Sequence, residues 1–351
     1  MKLVTFRTPQ GAEHVGCMGA DLDSVIDLTA GDATGACRDM LALIDAGPAG
    51  LNAARTAANT ASLVYPLSAV QLMTPLPRPR RLRDCLAFEK HVRQSRANRY
   101  LFGQGKERLD PASIQLASAW YKKPVYYKGN VFSIVGTDTP VQWPAYSQVI
   151  DYELEVAMVT NRSGKNVPMD QALSHVFGYM VFNDFSARDA QYIEMQTGLG
   201  PSKGKDFDTG NALGPWLVTA DEVPDPQALT MIARVNGEEW SRGSSAEMQH
   251  SFAAIISHAS DSETFYSGEV IGSGTVGGGC GDVMELEVSG LGVLTNTIVP
   301  PCAERARYAH PHPGLGRNSL SWRGPPKWWH LRARSALHGA RCVPGESCRR
   351  L

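Results

Sequence analysis

The chain has 351 residues, 43% hydrophobic and 20% charged, a globular composition long enough to bury a core without disulfide staples. No run of about 18 apolar residues occurs, so a transmembrane helix is excluded. Met1–Gln10 lacks a signal-peptide core, and the seven cysteines are scattered without a CxxC pair, so reduced thiols and a cytoplasmic location are expected. The net charge of −1 hides an asymmetry. Residues 301–351 hold ten Lys+Arg against two Asp+Glu, which leaves −9 on the preceding 300 residues. An acidic body argues against nucleic acid as a partner.

In chain order, 1–72 reads as a small leading unit. Met1–Arg7 and Ser24–Leu28 have strand character, and Arg38–Ala46 and Leu51–Ala61 have helical spacing. Residues 73–81, centred on TPLPRPR, read as a Pro-rich linker. A second unit, 82–299, is dominated by strands: Gln148–Thr160, Phe177–Phe182, Ala212–Thr219, Leu229–Val235 and Val283–Leu294. Met169–Val176, Ala187–Gln196 and Ala246–Ser260 are predicted helices. The absence of a βαβ rhythm favours an α+β, β-rich fold. The tail 300–351 is basic and lacks apolar periodicity, so it is expected to be disordered.

The chemistry-bearing residues lie in five places. Glu153 and Glu155 in DYELEV share one face of a strand, since i and i+2 point the same way. Two such carboxylates suit a hard divalent cation, Mg²⁺, Mn²⁺ or Ca²⁺, or simply a solvated face. Asp184 ends an apolar strand in NDFSARDAQ, where Arg188 and Asp189 read as helix-surface or capping residues. Lys205 in KGKDFDT lies in a Gly/Pro-rich stretch and has the charge to stabilise an enolate. Ser273–Cys280, SGTVGGGC, offers backbone N–H groups to an oxyanion but is no P-loop. Asp84 and His91 stand seven apart in RDCLAFEKH, before a polar stretch, Val92–Lys106, that suggests a lid.

The order of these motifs resembles the fumarylacetoacetate hydrolase family: ELE, then NDFSARDxQ, then GKDFDT with GPWLVT, then GSGTxGxG. The resemblance implies a catalytic β-roll behind a small N-terminal α/β domain, a homodimer, and a divalent cation, Mg²⁺ or Mn²⁺, with Ca²⁺ as a further candidate. It matches Glu153, Glu155, Asp184 and Asp84 to metal ligands, His91 to a general base and Glu285 to its acidic partner. Lys205, Gln191, Tyr127, Gly274 and Thr275 match substrate contacts. Leu86 and Met195 replace two substrate-contacting tyrosines of the fumarylacetoacetases.

The expected activity is hydrolysis of a C–C bond in an acylpyruvate-like or 2,4-dioxo-acid substrate. His91 would activate water and Lys205 would offset charge on the departing enolate. An oxaloacetate-type decarboxylase or a 2-hydroxymuconate-type isomerase is the rival within the same site. A non-catalytic member that binds metal or a partner is the rival outside it. Neither nucleic acid nor membrane is an expected partner.

Overall fold

A computed structural model of the chain describes residues 1–60, 63–102, 106–279 and 283–300. The basic tail, apart from Pro300, lies outside the described residues, as does Cys280. Among the described residues, fourteen strands form one mixed sheet and five form a second. No described helix is long and apolar enough to cross a membrane.

The main path of the larger sheet has the order Val64–Pro66, Ser24–Asp27, Glu13–Met18, Lys2–Arg7, Asn211–Thr219, Val176–Asp184, Ile150–Thr160, Glu269–Gly272, Arg81–Cys85, Tyr126–Gly129. Its centre is Ile150–Thr160, eleven residues of which all but Asp151 are buried. That strand has two covered faces, so its apolar residues form a near-continuous run. The second sheet orders Glu238–Ser244, Thr230–Val235, Val283–Val288, Gly292–Val299, Val141–Gln142. Leu3, Leu28, Leu43, Leu82, Phe182, Leu213 and Val270 share one buried cluster, so segments far apart in sequence close a common core.

The first 72 residues are continuous with the rest. Lys2 and Leu3 pair with Val218 and Leu217, which joins the leading strands to the main sheet. The Pro-rich stretch is packed, with Thr74, Pro75, Leu76 and Pro79 buried, and Arg81 already lies in a strand. The expected linker is therefore a partly buried connection between the strands Gln71–Leu72 and Arg81–Cys85. Val283–Leu294 resolves into two strands separated by a turn at Gly290, whose φ is +77°. The helix predicted at Met169–Val176 is a 3₁₀ helix over Met169–His175. His91 lies on an α-helix, Glu89–Ala97, which takes in the start of the Val92–Lys106 stretch that the sequence suggests as a lid.

Candidate active site

Three strands of the large sheet deliver the four acidic residues. Glu153 and Glu155 project from one face of Ile150–Thr160, as their i, i+2 spacing requires. Asp184 ends the antiparallel neighbour Val176–Asp184. Asp84 comes from Arg81–Cys85, where it stands opposite Gly272 on one side and Tyr127 on the other. Asp84, Glu153, Glu155 and Asp184 are buried, and each offers a carboxylate oxygen within 4.8 Å of the others. A side chain at position 272 is excluded. A Cβ there would fall 2.5 Å from Asp84 Oδ1 and 2.7 Å from Glu155 Oε2.

Two cations face this set. Lys205 Nζ donates to Glu153 Oε2 at 2.6 Å, to Asp184 Oδ2 at 2.5 Å and to the Asp184 carbonyl at 3.0 Å. Arg188 Nη2 donates to Glu153 Oε1 at 2.6 Å while its Nε reaches Asp151 Oδ2 at 2.6 Å. Arg188 is thus part of the centre and not a helix-surface residue. The strand–helix junction hides that role from sequence, because the start of a helix is normally solvated. Asp189 does behave as an anchor, accepting from Ser147 Oγ and the Gln148 N–H.

The protonation pattern follows from burial and charge. Burial holds the carboxyls of Asp84 and Glu155 well above the usual range, and that of Asp184 above it. Burial acts the same way on Glu153, but Arg188 and Lys205 outweigh it and hold Glu153 below the usual range. Burial opposes the charge on Lys205, yet Asp184 and Glu153 raise its pKa. Asp84 Oδ1, Glu155 Oε1 and Asp184 Oδ1 are buried with no hydrogen-bond partner. Orphaned buried oxygens of this kind carry a desolvation cost that calls for a partner. Four carboxylates against two cations, one of them shared with Asp151, also leave surplus negative charge when ionised. An all-oxygen, acidic set with three free oxygens fits a hard divalent cation.

The other expected residues are distributed as follows. Tyr127 donates its hydroxyl to Asp184 Oδ2 at 2.6 Å. Gln191 Oε1 accepts from Arg188 Nη1 at 3.0 Å. The Gly274 N–H is taken by Glu155 Oε2 at 2.9 Å, and Thr275 Oγ1 accepts from the Gly277 N–H at 3.1 Å. Gly274 thus supports Glu155, while the Thr275 hydroxyl is engaged with the Gly277 backbone. Leu86 and Met195 are 37% and 52% exposed, so the positions of the replaced tyrosines are open to solvent. His91 is buried on helix Glu89–Ala97 with Nε2 3.5 Å from Glu153 Oε1. Burial, with help from Arg188 and Lys205 and against Glu153, pushes its pKa down to about 4.

Glu285 is not brought to His91. It lies in the second sheet between Arg234 and Thr295, on the strand face opposite buried Met284, Leu286 and Val288. No hydrogen bond or ion pair joins it to His91 among the described residues. The period-2 alternation of VMELEV explains this: the apolar residues take the core side and Glu285 turns away.

A strand-built carboxylate cluster with a buried lysine, beside a helix carrying a buried histidine, makes a group that could hold a divalent cation. The chain belongs to the fumarylacetoacetate hydrolase family: the family profile for the fumarylacetoacetate (FAA) hydrolase C-terminal domain matches residues 82–299. It is 33% identical over 311 residues to the human mitochondrial protein named oxaloacetate tautomerase FAHD2A, across 85% of this chain and 92% of that one. Fumarylacetoacetate hydrolase from Exiguobacterium antarcticum superposes with a TM-score of 0.66 at 26% identity, covering 86% of this chain and 99% of that one. Maleylpyruvate hydrolase from Sphingobium sp. SYK-6, in complex with manganese(II) and pyruvate, shares the fold with a TM-score of 0.65 at 21% identity, covering 86% and 100%. The named relatives are enzymes of more than one reaction type.

Proposed function

We propose that this chain interconverts the keto and enol forms of a small 2-oxo dicarboxylic acid of the oxaloacetate type, using a divalent cation, Mg²⁺ or Mn²⁺. The observation that carries the reading is the convergence of three unpartnered carboxylate oxygens beside a fully engaged lysine. The relatives named oxaloacetate tautomerase support it.

A cation held by Asp84, Glu155 and Asp184, with Glu153 alongside, would polarise the carbonyl and acidify the neighbouring C–H. Lys205 supplies a fixed positive charge next to the oxygen on which negative charge develops. Gln191, whose Oε1 is held by Arg188 Nη1, has its side-chain amide N–H groups to offer a substrate carboxylate. His91, neutral at pH 7 because burial depresses its pKa, accepts the proton from carbon and returns it to carbon or oxygen. This step needs no water nucleophile and so no carboxylate behind His91.

Hydrolysis of an acylpyruvate is the second reading, favoured by the neutral imidazole in the pocket, which serves equally to take a proton from water. The separation of Glu285 from His91 ranks it second. Incubation with enol-oxaloacetate and with acetylpyruvate, each with and without Mn²⁺, separates the two. Faster ketonisation of the first without cleavage of the second supports the tautomerase. Cleavage of acetylpyruvate with no effect on enol-oxaloacetate removes it.

A further inference from the structure

Lys205 is set at the end of a long loop whose conformation its own sequence does not fix. Residues 196–204 contain Gly198 and Gly200 with φ of +78° and +115°, followed by Pro201 and Gly204. A loop of that composition has many accessible conformations, and holding an ammonium to within hydrogen-bond distance of two carboxylates demands a restraint. The restraint is Glu194. Its Oε2 accepts from the N–H groups of Ser202 at 2.9 Å and Gly204 at 3.0 Å, and its Oε1 accepts from the N–H of Lys203 at 2.9 Å. Three successive backbone donors converge on one carboxylate, directly before Lys205.

The placement of Glu194 is otherwise unfavourable. It sits in the last turn of helix Arg188–Met195, where the helix dipole disfavours an anion. The concave array of N–H groups compensates. The loop is also pressed onto this helix. A Cβ on Gly204 would lie 2.5 Å from Gln191 Cβ and 2.6 Å from its Cα, so only glycine allows the approach. The Gly204 carbonyl accepts from the Ala187 N–H at 2.8 Å. One helix therefore carries Arg188 against Glu153 at its start and grips the lysine loop at its end.

We propose that Glu194 is a positioning residue that presents Lys205 to the acidic centre by clamping the 202–204 backbone. The catalytic consequence rests on the role given to Lys205 above; the clamp itself does not.

Two measurements test it. Competitive acylation with acetic anhydride, read by mass spectrometry, compares exposed Lys203 with buried Lys205 in one sample. Lys205 should label roughly tenfold or more slowly than Lys203 in the wild type and within about threefold of it in Glu194→Ala, while Glu194→Gln is intermediate. An unchanged ratio in Glu194→Ala overturns the proposal. The second measurement is a double-mutant cycle on turnover of enol-oxaloacetate. Glu194→Ala should slow the wild type but add nothing to Lys205→Ala, because a residue acting through Lys205 has no effect in its absence. Equal slowing in both backgrounds overturns the proposal. If the wild type turns over no 2-oxo acid, the functional reading fails and the labelling ratio alone decides the clamp.

Discussion

His91 Nε2 lies 3.5 Å from Glu153 Oε1, and Glu285 lies in the other sheet. The histidine thus shares its acid with Arg188 and Lys205 and is not paired to a private carboxylate. Removing each residue should have different consequences. His91→Ala should lower keto–enol interconversion by about 10²–10⁴, the usual cost of losing a general acid–base group. Glu285→Gln should change it by less than about twofold, as for a half-buried residue turned away from the core and outside the acidic centre. Steady-state kinetics with both variants checks this, and a Glu285→Gln loss equal to that of His91→Ala contradicts the geometry.

Metal affinity should follow the orphaned oxygens. Glu155→Gln and Asp184→Asn keep side-chain shape and remove one ligand charge each. Either should weaken Mn²⁺ binding by at least about tenfold, since even residues that only support a ligand cost 10–100-fold. Titration calorimetry on chelated protein gives the affinities. Wild-type affinity in both variants would show that the cluster holds no cation.

Metal-dependent stability should rise with pH. The carboxyls of Asp84, Glu155 and Asp184 titrate above their ordinary values in the folded chain. A group with a raised folded pKa contributes stability that is complete below its unfolded pKa and lost as pH climbs through the folded one. The metal-free protein therefore loses stability on going alkaline through these three groups. Glu153, held low, contributes in the opposite sense and loses its share only on acidification. A bound cation requires the ionised forms. The Tm gain on adding Mn²⁺ should grow as pH rises above the ordinary carboxylate values of about 4. A gain that shrinks as pH rises contradicts the assignment.

The strand that carries Asp84 is held from its other face. Arg83 is fully buried, donates to Glu269 and Glu263, and stacks its guanidinium 5.5 Å from the Tyr126 ring centroid. Arg83→Leu leaves Glu269 buried without its partner and should cost about 3–5 kcal/mol. Arg83→Leu/Glu269→Leu should recover most of that, because no uncompensated charge remains. Denaturant melts of the three proteins decide it, and a double variant weaker than the single would contradict the pairing.

Much of this was legible in the residues. The ELE spacing places two carboxylates on one face by period alone, and the apolar runs identify the central strands. Arg188 was not legible, because a short strand at Ser186–Ala187 turns the helix start inward against Glu153. Short strands such as Glu269–Gly272 and Arg81–Cys85 are not legible in the sequence, because four or five residues carry little periodicity and each is fixed by pairing with neighbours on both sides. Glu285 misled for a related reason. Motif order matched it to a catalytic acid, whereas its facing depends on which side of VMELEV meets the core.

The central claim, enolisation of a 2-oxo acid at the four-acid centre, is tested most directly by following enol-oxaloacetate absorbance with chelated protein, with chelated protein reconstituted with Mn²⁺, and with reconstituted Glu155→Gln. Ketonisation above the metal-only background in the reconstituted wild type, and in neither of the other two, is the predicted result. Equal rates in the chelated and reconstituted wild type would contradict it.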